Sequence, residues 1–235
     1  MLQHIMQLAS TNGIKALEVL DQVTTNVANY NTTGYKARRF EQYLRPDGVI
    51  SQTLRVDYTQ GSVMVTKREL DIAVKGDGFI PVTQPDGTVA YTRDGSFAKN
   101  SQGFLVTNRG DLVGDGIQLP LQYQQILIQP DGAVQARIEG EQTPKLLGKI
   151  KLVTFANPEG LKMLGNNKLL ATKESGDPSQ IKSGFEIKQG CLERTNVNMF
   201  HQVDQMLRLN AQMISNLRIV KFSDDIYRQA VNLRQ

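Results

Sequence analysis

Residues 195–235 read TNVNMFHQVDQMLRLNAQMISNLRIVKFSDDIYRQAVNLRQ. Within this stretch Met199, Val203, Met206, Asn210, Met213, Leu217, Val220, Asp224, Tyr227 and Val231 follow one another at alternating steps of four and three. That is the spacing of a coiled-coil seam. Phe200, Leu207 and Ile214 widen the stripe on one flank, and neither Gly nor Pro interrupts it. A single helix over these residues would extend roughly 50–60 Å at about 1.5 Å per residue. Two seam positions, Asn210 and Asp224, are polar. Buried polar residues at such positions fix register or partner number at some cost in stability.

The opposite end carries a matching pattern. Leu2, Met6, Ala9, Gly13, Ala16, Leu20, Val23 and Val27 step in fours and threes, with Ile5, Leu17 and Val19 beside them. This helix should stop near Asn29, because Asn29-Tyr30-Asn31-Thr32-Thr33-Gly34 is dense in residues that bond their own backbone and ends on a Gly. Two readings of the paired seams follow. The helices pack on each other and on one core, or they are contact surfaces for other copies of the chain.

Between the helices the texture changes. Tyr35-Lys36-Ala37-Arg38-Arg39-Phe40 is a basic cluster flanked by aromatics, and Pro46-Asp47-Gly48 is a turn signal. From Thr59 onward, short runs rich in Val, Ile, Phe, Tyr and Thr alternate with Asp-Gly pairs at 77–78, 86–87, 94–95, 115–116 and 131–132. Asp-Gly between such runs is the strongest short-range hairpin signal. Expected strands are 79–83, 88–92, 104–107, 126–128, 133–138 and 149–155, with a helical turn or loop at 157–167 and a polar loop at 173–183. The predicted fold is therefore α+β. Residues 1–35 form the first helix and its turn, 36–58 a connector, 59–190 a mostly antiparallel β domain and 191–235 the last helix. The terminal helices pair as a coiled-coil-like stalk.

Composition narrows the function. With 40% hydrophobic and 21% charged residues among 235, the chain is a foldable globular sequence rather than a disordered one. The balance of 27 basic against 23 acidic residues, net +4, is too even to require a nucleic-acid partner. No run approaches the roughly 18 apolar residues of a membrane span, and the opening Met-Leu-Gln-His-Ile-Met-Gln lacks the basic start and apolar block of a secretory signal. Cys191 is the one cysteine, so no internal disulfide and no thiol metal site is available. His4 and His201 each lie beside a helical seam, where interface or surface roles suit them better than catalysis. No nucleophile elbow or phosphate loop occurs, and Gly76-Asp77-Gly78 lacks the spacing of a dinucleotide fingerprint. Asp71, Asp77 and Asp86 are the available acidic residues for a cation, but Asp in hairpin turns has a backbone reason to be there. No cofactor is expected. A non-enzymatic binding module that uses the basic cluster 35–39 for nucleic acid or an anionic surface stands as the alternative to a self-assembling structural protein.

Several segments carry a family likeness. Thr24-Thr25-Asn26-Val27-Ala28-Asn29-Tyr30-Asn31-Thr32-Thr33-Gly34-Tyr35-Lys36 resembles the N-terminal signature of bacterial flagellar rod and hook proteins, with Thr25 and Tyr35 standing where that signature has Asn and Phe. Thr59-Gln60-Gly61, Leu70 to Val74, Gly76 to Phe79, Tyr91 to Phe97 and Gly103 to Thr107 resemble its central segments. Phe155 to Leu161 is similar too, and Leu192-Glu193-Arg194-Thr195-Asn196-Val197-Asn198 resembles the entry to its last helix. The matches run in order along nearly the whole chain, and the chain resembles the basal-body rod type more than the hook type because long middle insertions are missing. A connector before Thr59 shorter than is usual in the distal rod protein, and Arg208-Leu209-Asn210-Ala211 in place of the Arg-Ala-Tyr-Glu run common there, leave distal and proximal rod both open. The resemblance implies a hollow helical shaft built from copies of the chain, with paired terminal helices inside and the β domain outside. Implied partners are other copies, neighbouring rod and hook proteins and the flagellar export apparatus, which passes subunits unfolded and without a cleaved signal peptide. The expected assembly residues are Leu2, Met6, Ala9, Leu20, Val23 and Val27 with Met199, Val203, Met206, Met213, Leu217 and Val220. The motif residues are Asn26, Ala28, Asn29, Asn31, Thr32, Thr33, Gly34, Asn196, Val197 and Asn198. Such seams would be loosely ordered in a lone subunit and become fixed when neighbours cover them.

Overall fold

A computed structural model describes residues 2–140 and 143–232, and the side chains of Leu2, Ala230 and Val231 lie outside the described residues. Two compact units emerge. One is formed by Met1–Tyr30, Ala37–Asp57 and Val197–Gln235, the other by Asn31–Lys36 and Tyr58–Asn196. The class is α+β.

The first unit holds helix α1 (Leu2–Ala28), strands β1 (Arg38–Leu44) and β2 (Ile50–Val56), and helix α2 (Met199–Asn232). α1 ends where the asparagine-rich turn begins, with Asn29 Nδ2 donating back to the Thr25 carbonyl at 2.9 Å. The last helix, expected over 191–235, starts only at Met199: Cys191–Glu193 is a strand, and Asn198 caps the helix, since the His201 amide donates to Asn198 Oδ1 at 3.2 Å and so satisfies one of the first-turn donors that has no partner inside the helix. Ala16, Val19, Val23 and Leu209 form the buried centre of this unit, with Leu20, Phe40, Met206 and Met213 packed against it. Asn26 Nδ2 donates to Gln202 Oε1 at 3.1 Å near one end, and Gly13 faces Asn216 further along, so the helices run antiparallel.

Residues 36–58, expected as a connector, are instead mostly a hairpin. β1 and β2 pair antiparallel from Arg38 opposite Val56 to Leu44 opposite Ile50. The turn was visible and the strands were not, because their burial is irregular and leaves no clean two-residue alternation. Asn12 holds the turn from α1, donating to the Gly48 carbonyl at 3.1 Å and accepting from the Ile50 amide at 3.0 Å.

The second unit is β throughout, apart from one 3-10 turn at Pro158–Gly160. Its largest sheet has seven antiparallel strands in the order Lys162–Gly165, Lys168–Leu170, Val89–Thr92, Ile80–Thr83, Leu112–Val113, Leu105–Thr107 and Phe97–Lys99. A three-stranded sheet (Gln125–Ile128, Ala133–Arg137, Lys145–Lys149) and three two-stranded pairs complete it. One core unites Ile72, Ile80, Phe97, Leu105, Ile126, Ile150 and Leu152, each fully buried. A smaller aromatic cluster sets Tyr91 edge-on to Phe155 at 4.9 Å between centroids, with Phe79 beside them.

One turn design recurs. At Asp47, Asp86 and Asp131 the carboxylate accepts the amide two residues on, while the following Gly takes positive φ. Asp94-Gly95 looks the same in sequence but is different. Gly95 keeps an ordinary φ, and its Cα lies so close to the neighbouring chain that an added Cβ would sit 1.9 Å from the Ile72 carbonyl oxygen. Here Gly permits close packing rather than a reversal.

Phe97→Ala should cost about 3–5 kcal/mol by opening a cavity in a packed core, read as a lower midpoint in denaturant unfolding of the β unit. Gly95→Ala should abolish the folded β unit, with loss of dispersed amide resonances.

Candidate assembly interface

The face that α2 turns toward α1 is set by a contest between two heptad frames that share Met206, Met213 and Val220. One frame adds Val203, Asn210, Leu217 and Asp224. The other adds Gln202, Leu209, Asn216 and Ser223. The second faces inward: Gln202, Leu209 and Ser223 are buried, and Asn216 is half-buried. At 3.6 residues per turn the two stripes differ by a rotation of about 50°. α1 dictates the outcome, since its facing side presents Ala9, Gly13, Ala16 and Val23. Ala16, Val19 and Val23 receive Leu209 in the buried centre of the pair, and the hydrogen bond from Asn26 to Gln202 holds that side of α2 inward. Asn26 is 1% exposed; its amide donates to Gln202 Oε1 and to the Arg38 carbonyl at 2.6 Å, while its Oδ1 accepts the Arg38 amide at 3.0 Å.

The consequence is an apolar ridge left in water. Phe200 is 90% exposed, Leu207 65% and Leu217 66%, with Val203 and Ile214 exposed between them. Ile14 and Leu17 of α1 are exposed as well. Among the expected assembly residues, Ala9 and Val23 are buried; Met6, Leu20, Val27, Met199, Met206, Met213 and Val220 are half-buried; Val203 and Leu217 are exposed. Leu2 lies outside the described side chains. Asp224, placed in the seam by spacing, pairs with Arg228 Nε at 3.0 Å, and Asn210 is exposed.

The motif residues divide between the units. Asn26, Asn29 and Asn198 organise helix ends as described, Ala28 is exposed and Val197 is buried. In the β unit, Asn31 is exposed, Thr32 and Thr33 are half-buried, and Gly34 is buried with φ +67. An added Cβ at Gly34 would lie 2.5 Å from the Asp94 amide nitrogen, so no other residue fits there. Thr33 Oγ1 donates to Asp94 Oδ1 at 2.8 Å, and Asn167 Nδ2 donates to the Thr33 carbonyl at 2.8 Å. Asn196 Nδ2 donates to the Thr59 carbonyl at 3.1 Å.

These segments converge on one carboxylate whose role the sequence did not disclose. Glu193 is 1% exposed. Its Oε1 accepts Lys36 Nζ at 2.7 Å and the Gly61 amide at 3.0 Å, its main-chain carbonyl accepts the Gly34 amide at 2.9 Å, and Arg93 Nη1 stands 3.7 Å from Oε2. Lys36 also donates to the Thr59 carbonyl at 2.7 Å. Burial pulls the Arg93 guanidinium below its ordinary pKa, while Glu193 and Asp77 push it back up. Arg93 donates in addition to the Gly76 carbonyl at 2.7 Å. Strands Val63–Val65 and Cys191–Glu193 pair beside this centre. The basic cluster at 35–39 is thereby dispersed: Tyr35 and Lys36 are buried, Phe40 packs on the helices, and Arg39 is the exposed member with Glu41 4.0 Å away.

Other residues weighed for chemistry are placed as follows. Asp86 serves its turn, and the Thr88 amide holds its carboxyl below the usual value. Asp71 is fully buried with Arg68 Nε 3.7 Å away, and Asp77 is exposed. Among the described residues no three of His, Cys, Asp or Glu converge on a common point, and no helix is long and apolar enough to cross a membrane. Cys191 is a buried free thiol.

Fold and helix faces together define an α+β protein with a long apolar helical surface turned to solvent. Residues 73–136 match the family model for the flagellar hook protein FlgE/F/G D1 domain. Flagellar basal-body rod protein FlgG of Buchnera aphidicola subsp. Acyrthosiphon pisum is 32% identical, over 95% of this chain and 97% of the relative. Its namesake in Borreliella burgdorferi is 33% identical over 92% of this chain and 93% of its own length, and that of Caulobacter vibrioides 29% over 99% and 100%. The chain belongs to the flagellar basal-body rod protein family.

Lys36→Met should cost about 3–5 kcal/mol, because it strands the buried Glu193 carboxylate. Lys75→Met, which breaks the exposed pair to Glu186 at 3.3 Å, should change stability by less than about 1 kcal/mol. Chemical denaturation of both variants compares them.

Proposed function

We propose that this chain is a structural subunit of the bacterial flagellar rod, within the basal body of the cell envelope. It polymerises through its terminal helices into a hollow helical shaft that transmits torque. The observation that carries the reading is the run of exposed apolar side chains on α2, in a chain similar to rod proteins along more than nine-tenths of its length. Burying one such side chain contributes about 1.5–3 kcal/mol, and a helical contact repeated between identical subunits adds that many times over. The helices act as a coiled-coil-like stalk, the assembly core, and the β unit as the body of each subunit. Other copies are the first partners, neighbouring rod and hook proteins the next. Export through the flagellar apparatus without a cleaved signal peptide accords with the near absence of cysteine, which spares an unfolded passenger from disulfide traps.

Above a threshold concentration the full chain should form filaments visible by electron microscopy. A fragment of residues 31–196, which lacks both helices and keeps Glu193 with Lys36 and Arg93, should stay soluble and monomeric in analytical ultracentrifugation at the same concentrations. Filaments from that fragment would refute assembly through the helices.

A further inference from the structure

Between α1 and α2 lies an open apolar groove of about 240 Å³. Gly13 forms its floor, Ala9, Ile14 and Leu17 line one side, and Met213, Leu217 and Val220 the other. Among the described residues no charged one lines it. A Cβ built at Gly13 would meet one atom, Asn216 Nδ2 at 4.0 Å, so the space above this glycine is empty. That amide nitrogen has no hydrogen-bond partner among the described residues. An apolar cavity of about 150 Å³ accommodates a benzene ring, so this groove has room for a phenyl side chain. A phenyl group of that kind stands on the same helix: Phe200, 90% exposed, at the head of the ridge that continues through Val203 and Leu207.

One molecule cannot join these two features. Phe200 and Asn216 lie sixteen residues apart on a continuous helix, about 24 Å at about 1.5 Å per residue. Resting on the assembly proposed above, we infer that the Gly13 groove of each subunit receives Phe200 from a second copy of this chain, with the α2 ridge laid along the neighbour's Ile14 and Leu17. Shape and polarity match, since an uncharged hollow floored by glycine meets an uncharged protruding ring. The scale matches too. The ridge and the rim of the groove leave Phe200, Val203, Leu207, Ile214, Leu217, Ile14 and Leu17 exposed, on the order of several hundred Å² of apolar surface, comparable to the roughly 800 Å² that one partner brings to a specific interface. Knob and hole sit at different points of the same element, so the contact is heterologous. Each subunit that fills its neighbour's groove leaves its own groove free for the next, and the series stays open-ended.

Cross-linking decides the pairing. Gly13→Cys and Phe200→Cys are made as separate full-length variants, with the wild-type chain and its buried Cys191 as the background control. Under mild oxidation at concentrations that give filaments, the mixture of the two should yield a disulfide-linked dimer. Neither variant alone should exceed the wild-type level. A dimer formed equally well by Phe200→Cys alone, or filaments without any mixed dimer, overturns this pairing while leaving assembly through the helices intact. No association of the wild-type chain at any concentration overturns the assembly reading and this pairing with it. In parallel, Gly13→Leu fills the groove from within and should raise the threshold concentration for filaments about tenfold or more, the factor that about 1.4 kcal/mol represents, with unchanged helical circular dichroism of the monomer. An unchanged threshold overturns the proposal.

Discussion

The pairing of α1 with α2 across Ala16, Val19, Val23 and Leu209 governs what the helical unit can offer. Ala9, Gly13 and Ala16 leave little side-chain bulk on α1, and the hydrogen-bonded Asn26–Gln202 pair fixes which side of α2 comes to rest there. Had Val203 and Leu217 faced inward, two of the apolar side chains now in water would have been covered within the chain, with Asn210 and Asp224 as the polar seam positions. Instead Gln202, Asn216 and Ser223 occupy three of the seven inward positions from Gln202 to Ser223. A polar residue in a helix seam weakens the pair and specifies it. The stability forgone inside one chain is what remains available between chains.

The β unit solves a different problem. Its core is conventional: apolar strand residues buried on short antiparallel strands, with reversals made by an Asp that bonds ahead and a Gly at positive φ. Less usual is the fully desolvated Glu193, held by Lys36, the Gly61 amide and the nearby Arg93. Buried ion pairs of this kind are weak sources of net stability, because desolvation offsets much of the attraction. Their strength is selectivity, since any arrangement that separates the charges leaves one stranded. Residues 31–36, 59–61 and 193–196, far apart in sequence, are thereby required to meet in one way.

Much of the helical architecture was legible before any coordinate. Seam spacing marks both helices, and the asparagine-rich turn marks the end of α1. Asp-Gly signals locate the hairpins at Asp86 and Asp131 and, through Pro46-Asp47-Gly48, the turn of β1 and β2. The strands of that last hairpin were missed because both are largely solvated and carry no alternating pattern. Asp94-Gly95 was misleading for the opposite reason: the same two letters serve a close backbone crossing, which depends on where Ile72 lies and not on neighbours in sequence.

The linear order of residues determined the α+β class, the two seam-bearing helices and the turn chemistry, because periodicity and backbone preference act over a few residues at a time. It also placed a seam on α2 through Val203, Met206, Asn210, Met213, Leu217, Val220 and Asp224, of which the structure keeps Met206, Met213 and Val220 in the inward frame. Which frame turns inward was decided only in three dimensions. The choice depends on the relief of α1 at Ala9, Gly13 and Ala16 and on an asparagine that bonds across 176 positions of chain, and no local pattern in α2 encodes the shape of the surface it will meet.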